Sequence, residues 1–270
     1  MDLIERFDMV FDLMPGDFKV MQWNVLADQL ATDFPAVDPR FLQWEYRKGL
    51  ILKEIDRVAP DLLCVEEMDH YEDYFKQSME ERGFCSVYRK KGDWHNDGLA
   101  IFYKKDVFEK HEEYYVEFPG SQFAIGLMLQ KGPQRFYIFV THLKAKKAFD
   151  DIRVTQVQTL LSFIQSLSPL PTIVCGDFNS LPDSNAYLTM YNNTFGLNSI
   201  YRTNTEPEFT TVKQRASLEI KTEDYIWEKG FKKHQILSLP SIETIGPKGL
   251  PKHDYPSDHL SLIAVLSFNP

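Results

Sequence analysis

The sequence predicts an α/β protein, a four-layer α/β sandwich in which two central mixed β-sheets are stacked and flanked by helices. Two observations carry this prediction. Short segments rich in β-branched and aromatic residues alternate with helical segments along all 270 residues. Two neighbouring hairpin-like regions, 98–103 and 124–141, favour mixed rather than all-parallel sheets. No low-complexity linker interrupts the chain, which predicts one domain over residues 1–270, with residues 1–17 as an N-terminal extension.

Seven segments have the composition of strands. They are residues 18–23, 61–65, 99–103, 125–129, 136–141, 172–175 and 260–268. Apolar residues at helical spacing predict one helix over residues 41–58, which Pro60 ends, and another over residues 152–167. Asp150, shortly before the second helix, suits a helix N-terminus, where the backbone dipole favours negative charge.

The charge balance argues against one class of function. The chain has 30 Lys and Arg against 39 Asp and Glu, which gives a net charge of −9. Proteins that coat nucleic acids without sequence preference neutralise phosphates with Lys and Arg, so this balance disfavours that class but leaves room for a local basic cleft. A composition of 43% hydrophobic and 26% charged residues is typical of a folded chain and excludes disorder.

Three features concern the cellular environment. Cys64, Cys85 and Cys175 form no CxxC pair, and the first and last lie in apolar runs, which favours buried thiols in a reducing compartment. No apolar run approaches the roughly 18–20 residues that a membrane span requires. Residues 1–17 are too acidic for a signal or transit peptide. We therefore expect a cytoplasmic protein that acts as a monomer, with a mitochondrial location only for a longer isoform carrying a targeting peptide.

Polar side chains cluster at the ends of five predicted strands. They are Asn24, Glu66 and Glu67, His142, Asp177 and Asn179, and Asp258 and His259. Because such ends converge on one mouth in stacked α/β sheets, we expect these residues to lie together. Each residue alone is more often a turn former, a cap or a core histidine. Compatible chemistry at five separate strand ends is what indicates a site.

The ligand types in this set indicate the chemistry. Carboxylate and amide oxygens are the ligands that Mg²⁺ or Mn²⁺ prefers, and they argue against structural zinc. Glu66 and Glu67 are neighbours on a strand, so their side chains point to opposite faces and at most one faces the site. Carboxylates, a divalent metal and histidines can together transfer a phosphoryl group to water, because the metal polarises the phosphoryl oxygens and a base prepares the water.

Seven ordered motifs carry a resemblance to a known family: MQWNVLA, LLCVEEMDHY, NDGLAIFY, VTHLKAK, VCGDFNSLP, EDYIW and YPSDHLSL. They extend from Met21 to Leu262 and resemble the endonuclease/exonuclease/phosphatase superfamily of Mg²⁺-dependent phosphohydrolases. WNVLA with THLKA is similar to the deadenylase-like branch, and IGPKGLP, EEMDHY and FTTVK are similar to one group within that branch. The resemblance implies a Mg²⁺ cofactor, with Mn²⁺ as a possible substitute.

The resemblance implies roles for the residues around the metal. Glu67 is implied as the principal Mg²⁺ ligand, assisted by Asn24 and Asp258. Asp177 is implied to position or deprotonate the attacking water, and Asn179 to hold a phosphoryl oxygen.

Two histidines complete the implied catalytic set. His259 is implied as a general base or transition-state stabiliser, oriented by Asp224, and His142 as a donor to the phosphate. Whether Asp177 or His259 removes the proton stays open, as does the number of metal ions. Phosphoryl transfer requires mainly positioning and electrostatic stabilisation from the protein, which such a set supplies.

The resemblance also implies a substrate pocket. Lys90, Lys144, Lys146 and Arg215 are implied to line a pocket for the phosphates of a dinucleotide, with Asn24 beside the substrate. A compact basic patch on an acidic protein fits a small anion better than long RNA. The implied activity is removal of the 2′-phosphate from NADP⁺ and NADPH. The alternative is a 3′-exoribonuclease that shortens poly(A), and a non-catalytic binding module is a third hypothesis.

Three residues depart from the family pattern. Glu66 stands where the family commonly has Gln, and we expect it to add a negative charge near the metal face. Lys146 stands where the most similar group has Arg, which replaces a bidentate fork by a point charge. Val212 replaces a Trp. These departures concern ligand affinity rather than the assignment as a hydrolase.

Overall fold

Two six-stranded β-sheets form the centre of the molecule in the computed structural model, which describes residues 4, 11–215 and 217–269. In spatial order, the first sheet consists of β13 (Phe231–Ile236), β14 (Leu262–Phe268), β1 (Phe18–Asn24), β2 (Leu62–Met68), β4 (Gly98–Lys104) and β3 (Phe84–Lys90). The second sheet consists of β5 (Glu109–Glu117), β6 (Phe123–Lys131), β7 (Gln134–His142), β8 (Thr172–Asp177), β12 (Asp224–Lys229) and β9 (Asn198–Ser199). A separate ribbon pairs β10 (Thr211–Gln214) with β11 (Leu218–Lys221).

The strand directions confirm the predicted mixed sheets. β1 and β2 run parallel in the first sheet, and β7 and β8 run parallel in the second. The neighbouring pairs, such as β1 with β14 and β8 with β12, are antiparallel. All seven predicted strands are present, although the last begins at Leu262 rather than at residue 260.

Charged strands at the sheet edges escaped the sequence analysis. β5 has the sequence EKHEEYYVE and forms an edge of the second sheet, and β13, with the sequence FKKHQI, forms an edge of the first. Charged side chains on an edge strand discourage pairing with another chain. They also remove the apolar alternation that identifies a half-buried strand, so pairing with the neighbouring strand is what reveals it.

Helices cover the outer face of each sheet, which completes the predicted four layers. α2 (Trp44–Val58) packs on the first sheet, and α4 (Asp150–Ser166) and α5 (Asn185–Tyr191) pack on the second. The shorter helices are α1 (Pro39–Leu42), α3 (Lys76–Glu80) and α6 (Ile242–Ile245). The first predicted helix is divided at Gln43, whose backbone is extended, so α2 begins at Trp44 rather than at residue 41.

Alternating side chains of β1 separate the layers of the core. Phe18 and Val20 are buried between the two sheets, whereas Met21 is buried on the side of α2. Cys64 and Cys175 come from β2 and β8 and are free thiols buried between the sheets, as predicted. Because both faces of the central strands are covered, their sequences are nearly continuous apolar runs.

Part of the predicted N-terminal extension packs on this core. Ile4 is buried, its backbone N–H donates to the carbonyl of Asp254 at 3.1 Å, and its carbonyl accepts from Arg57 Nη1 at 2.7 Å. Residues 1–3 and 5–10 lie outside the described residues. Among the residues that the structure describes, no helix is both long and apolar enough to cross a membrane.

Candidate active site

Strand register brings the polar strand ends together at one end of the stacked sheets. Asn24 on β1 lies opposite Glu66 on β2. In the second sheet, Asp177 on β8 lies opposite His142 on β7 and opposite Asp224 on β12. The two rows meet across the sheets, where Asn24 Nδ2 donates to Asp177 Oδ2 at 3.1 Å. Residues distant in sequence thus form one polar cluster below the open end of the core.

Glu67 presents a buried carboxylate at this end. It lies in a β-bulge of β2, with a backbone φ of 55°, a left-handed conformation that is uncommon for residues other than glycine. Its carboxylate accepts hydrogen bonds from Asn24 Nδ2 at 3.1 Å and from the backbone N–H of Ala27 at 3.0 Å. Burial alone raises the pKa of Glu67, but His142, which is charged in the acidic range where Glu67 titrates, and these hydrogen bonds outweigh it and lower the pKa to about 2. Glu67 is therefore ionised at neutral pH.

Asn24 lies beneath the cavity and orients its carboxylates. Its side chain is fully buried, its Nδ2 donates to both Glu67 and Asp177, and its Oδ1 accepts from the backbone N–H of Leu26 at 3.0 Å. Every polar atom of this side chain therefore has a protein partner, and Asn24 is not among the residues that line the cavity. These hydrogen bonds orient Asn24 beside Glu67, and its roles as a metal ligand and as a contact of the substrate stay predictions.

Glu66 also lies beneath the cavity, where burial opposes the negative charge that we expected it to add. Its Oε2 accepts a hydrogen bond from Gln22 Nε2 at 2.8 Å. Complete burial, together with the carboxylates of Asp224 and Asp177, raises the pKa of Glu66 well above its usual range. Such a shift favours the protonated acid, which resembles the Gln that the family commonly has in shape and polarity. Of the two neighbouring glutamates, Glu67 lines the cavity and Glu66 does not.

Asp177 lies between the two histidines. Its Oδ2 is 3.5 Å from His142 Nε2 and 3.8 Å from His259 Nε2, and its Oδ1 accepts the backbone N–H of Asn179 at 2.8 Å. Burial raises the pKa of Asp177 to about 6, against the opposing effect of His259. Burial lowers the pKa of His142 to about 4, so His142 is a neutral imidazole at neutral pH. Asn179 lines the cavity, and its Nδ2 donates to the carbonyl of Leu143 at 3.1 Å.

Asp224 orients His259. The two carboxylate oxygens of Asp224 lie 2.9 and 3.1 Å from His259 Nδ1, and Thr210 Oγ1 donates to Asp224 Oδ2 at 2.6 Å. Burial alone lowers the pKa of His259, but the carboxylates, above all Asp224, raise it to about 10. Ligand atoms of Asp177, Asp224 and His259 lie within 4.8 Å of one another. Because both oxygens of Asp224 are engaged in the protein, we assign it to the imidazole and not to a metal.

Lys213 is a residue of this cluster that the sequence analysis did not assign. Its Nζ lies 3.0 Å from His259 Nε2, 3.5 Å from Asp258 Oδ2 and 3.5 Å from Glu223 Oε2. Burial alone lowers the pKa of Lys213, but Asp258 and Glu223 outweigh it and raise the pKa. In the sequence, the indication of this role is that Lys213 lies two residues after Thr211 on the same strand. Side chains two residues apart on a strand point to the same face. Lysines in short basic clusters are otherwise typical of solvated surface.

A cavity of about 1290 Å³ opens above the cluster. Its basic residues are Lys91, Lys144, Lys146, Lys147, Arg153, Lys213, Arg215 and Lys221. Three of the four predicted phosphate-binding residues are among them. The exception is Lys90, which is exposed at the end of β3 and does not line the cavity, whereas its neighbour Lys91 does. Adjacent side chains on an extended chain point to opposite sides. A prediction that is wrong by one residue therefore names a lysine that faces solvent instead of the lysine that lines the cavity.

A buried arginine fixes the loop that carries two of these lysines. Arg153 Nη1 donates to the carbonyls of Lys144 and Lys146, at 2.8 Å in both cases. Gln156 Oε1 accepts the backbone N–H of Lys144 at 3.0 Å. Lys146 has a φ of 78°, so the loop is held in a left-handed conformation by partners on α4. The sequence signal for this role was weak, because Arg153 and Gln156 are polar residues on the otherwise apolar face of a helix.

The oxygen donors fit a divalent metal of the Mg²⁺ type. Glu67, Asp177 and Asp258 are buried carboxylates that line the cavity. Carboxylate oxygens without cysteine ligands suit Mg²⁺ or Mn²⁺ rather than structural zinc. A cation among them would also offset the repulsion between negative groups buried close together.

Comparison with known proteins assigns the family. The profile described as "Endonuclease/Exonuclease/phosphatase family" matches residues 21–259. The chain belongs to the endonuclease/exonuclease/phosphatase family. The enzymes of this family are phosphoester hydrolases that typically depend on a divalent metal, and the cluster of carboxylates and histidines is where such chemistry is expected.

Within the endonuclease/exonuclease/phosphatase family, nocturnin is the group to which the motifs IGPKGLP and YPSDHLSL are similar, and the comparisons confirm that similarity. Nocturnin of Xenopus laevis is 36% identical, with 94% of this chain and 74% of that protein covered. Human nocturnin is also 36% identical, but this chain spans 65% of its length. The structure of the human nocturnin catalytic domain with bound sulfate anion superposes with a TM-score of 0.80 at 32% identity, covering 96% of each chain. ANGEL2, described as a 2′,3′-cyclic phosphatase, superposes with a TM-score of 0.84 at 26% identity, covering 93% of this chain and 95% of that chain.

Proposed function

We propose that this chain removes the 2′-phosphate from NADP⁺ and NADPH by metal-dependent hydrolysis, which yields NAD⁺ or NADH and inorganic phosphate. The observation that carries the proposal is a single large cavity above Asp177 and His259 whose walls hold a cluster of Lys and Arg side chains. A volume of about 1290 Å³ exceeds the roughly 300–1000 Å³ of ordinary small-molecule pockets and suits a dinucleotide. Human nocturnin with its bound sulfate shows that a tetrahedral dianion binds a related domain.

Glu67 and Asp258 are the residues that we propose hold Mg²⁺, with Asn24 fixing the carboxylate of Glu67 by its hydrogen bond. Bound there, the metal would polarise the phosphoryl oxygens and offset their negative charge. Glu67 suits this role because its pKa of about 2 keeps it ionised across the physiological pH range.

Asp177 and His259 are the residues that we propose act on the attacking water. Asp177 Oδ2 and His259 Nε2 are 3.8 Å apart, so one water can contact both, and the pair as a whole accepts its proton. Asp224 holds the Nδ1 side of His259, which directs Nε2 towards the cavity. His142 and Asn179 line the same cavity, which supports their proposed role as contacts of the phosphoryl oxygens.

The walls of the cavity discriminate the proposed phosphatase from a poly(A) exoribonuclease. Shortening of poly(A) requires contacts to successive phosphates and aromatic platforms for successive adenines. Among the described residues that line the cavity, Trp94 is the single Trp, Tyr or Phe. One aromatic platform beside a compact basic patch supports a dinucleotide rather than an RNA tail.

The test is a comparison of substrates with purified protein and Mg²⁺. NADP⁺, NADPH, oligo(A) and adenosine 2′,3′-cyclic phosphate are incubated separately, and released phosphate, NAD(H) and oligonucleotide length are measured. We expect phosphate and NAD(H) from the first two substrates and intact oligo(A). Shortened oligo(A) with intact NADPH would establish the exoribonuclease instead. Opening of the cyclic phosphate alone would instead indicate a 2′,3′-cyclic phosphatase, as ANGEL2 is described.

A further inference from the structure

Trp94 lies at the tip of the loop between β3 and β4 and lines the cavity. It is 96% exposed, so its indole packs against nothing in the fold. The other three tryptophans differ: Trp23 and Trp227 are fully buried, and Trp44 stacks on the ring of His70 at 4.1 Å between centroids. An indole is a large apolar surface, and a protein that exposes one at the wall of a cavity leaves it available to a ligand.

The loop that carries Trp94 is anchored at its base. The backbone N–H of Lys91 donates to the carbonyl of Asp97 at 2.9 Å, which closes the loop. The buried Asp97 side chain accepts from Gln29 Nε2 at 3.1 Å and lies 3.9 Å from Lys91 Nζ. The tip of the loop is therefore exposed, while the base of the loop is held at the cavity wall next to the ammonium group of Lys91.

Two other aromatic side chains near the cluster, Phe209 and Trp23, are buried and not available to a ligand. Phe209 is 6% exposed. Val212, which stands where the family pattern has a Trp, is fully buried and is not aromatic. Trp23 is used by the fold, since its Nε1 donates to the carbonyl of His259 at 2.8 Å. Within the described part of the cavity wall, Trp94 is thus the aromatic surface against which a planar ring can pack.

We propose that Trp94 stacks on a heteroaromatic ring of the nucleotide whose phosphate occupies the cavity, and so determines specificity for nucleotides over simple phosphate esters. The proposal rests on the proposed function insofar as it takes a nucleotide as the ligand. NADP⁺ carries two such rings, adenine and nicotinamide, and both have the π-face that stacking requires. Lys91, at the base of the same loop, lines the same cavity and brings a positive charge to its wall.

The kinetic test compares Trp94→Ala and Trp94→Phe with the parental protein. Base–aromatic stacking contributes enough that we expect Trp94→Ala to raise the KM for NADP⁺ about five- to tenfold with kcat unchanged, and Trp94→Phe to retain most of the parental KM. Hydrolysis of β-glycerophosphate, which has no ring, should not change. Tyr191→Ala removes an exposed aromatic that does not line the cavity and serves as the matched control. An unchanged KM for NADP⁺ in Trp94→Ala would overturn the proposal, as would an equal loss with β-glycerophosphate.

A binding test separates this proposal from the proposed function. Tryptophan fluorescence is titrated with NADP⁺, with adenosine 2′-phosphate and with β-glycerophosphate in EDTA, where no turnover occurs. We expect NADP⁺ to quench the parental protein and not Trp94→Phe, and the ring-free ester to quench neither. Quenching by adenosine 2′-phosphate identifies adenine as the stacked ring, and quenching by NADP⁺ alone identifies nicotinamide. If NADP⁺ quenches the fluorescence in this way but the protein does not hydrolyse NADP⁺, the proposed function is wrong and the stacking is supported. If NADP⁺ does not quench the fluorescence, the stacking proposal is wrong, whether or not the protein hydrolyses NADP⁺.

Discussion

Lys213 places an ammonium group 3.0 Å from Nε2 of His259, inside a cluster that also contains Asp258 and Glu223. Both groups are cations when protonated, so the charge of Lys213 opposes the protonation of His259 that Asp224 favours. It also supplies a fixed positive charge where a transferring phosphoryl group would accumulate negative charge. Lys213 therefore influences both the protonation of His259 and the stabilisation of charge on the phosphoryl group.

We expect Lys213→Met to lower kcat for NADP⁺ by about a hundredfold while changing KM little, because fixed charges of this kind act mainly in the transition state. Lys213→Arg should restore part of the activity, since it returns the charge with a different shape. Steady-state phosphate release measures both constants, and circular dichroism checks the fold.

Lys221→Met is the matched control for Lys213. Lys221 also lines the cavity, but it is half exposed and paired with Glu219 on the β10–β11 ribbon. Its removal should alter kcat less than threefold. Equal losses in the two variants would show that general positive charge, rather than the position of Lys213, is what matters.

At the scale of elements, α4 holds the loop that follows β7. Arg153 and Gln156 on the inner face of α4 bind the backbone of residues 144–146, and this loop carries Lys144 and Lys146 to the cavity. Since Arg153 is 3% exposed, its guanidinium is removed from water and stabilised by carbonyl groups and by Asp150. The helix thus transmits its position to two substrate-facing side chains.

We expect Arg153→Met to lower the free energy of unfolding by about 2 kcal/mol, because buried carbonyls lose charged hydrogen-bond donors. The KM for NADP⁺ should rise at the same time, since the two lysines lose their fixed backbone. Urea unfolding and steady-state kinetics measure the two effects.

Arg40→Met is the control for Arg153, because Arg40 pairs with Asp38 on the surface, where solvent screens ion pairs and they contribute little to stability. It should leave the free energy of unfolding and the KM near their parental values. A parental KM in Arg153→Met would contradict the role given to this residue.

At the scale of the whole molecule, the two sheets concentrate acidic side chains at one end of the core. Glu67, Asp177 and Asp258 are buried there within a chain whose net charge is −9. The basic side chains around the cavity lie on loops, on the β10–β11 ribbon and, for Arg153, on α4, all outside the two six-stranded sheets. The fold therefore places a cluster of carboxylates, which suits a cation, beneath a rim of basic side chains, which suits an anion.

We expect Mg²⁺ to stabilise the whole fold, because a ligand that binds the native state shifts the unfolding equilibrium by mass action. At a hundred times its Kd, the shift amounts to about 2.7 kcal/mol, or a rise in Tm of about 5–10 °C for a domain of this size. Glu67→Ala should abolish phosphate release and show no rise in Tm with Mg²⁺, while its far-ultraviolet circular dichroism stays parental. A Mg²⁺-dependent rise of the same size in Glu67→Ala would contradict the assignment of Glu67 as principal ligand.

Local patterns along the chain were sufficient to predict most strands, the long helices and the class of reaction. Side-chain periodicity is a property of neighbouring residues, so it identified the seven apolar strands and the two long helices. Polar residues at strand ends indicated a metal-dependent phosphohydrolase because residue type and strand direction are both visible in the sequence. The charged edge strands β5 and β13 were missed since their local composition resembles that of loops.

Contacts between distant parts of the chain required the folded structure. Gln22 and Asp224 are 202 residues apart yet within 3.3 Å, and the register of three strands determines that His142, Asp177 and Asp224 lie side by side. The same packing buries Glu66, which raises the pKa of its carboxyl group. It also places Lys91 rather than Lys90 at the cavity. Residue types are encoded locally, whereas the environment that sets a pKa, or decides which lysine faces a ligand, arises only when separate strands pack together.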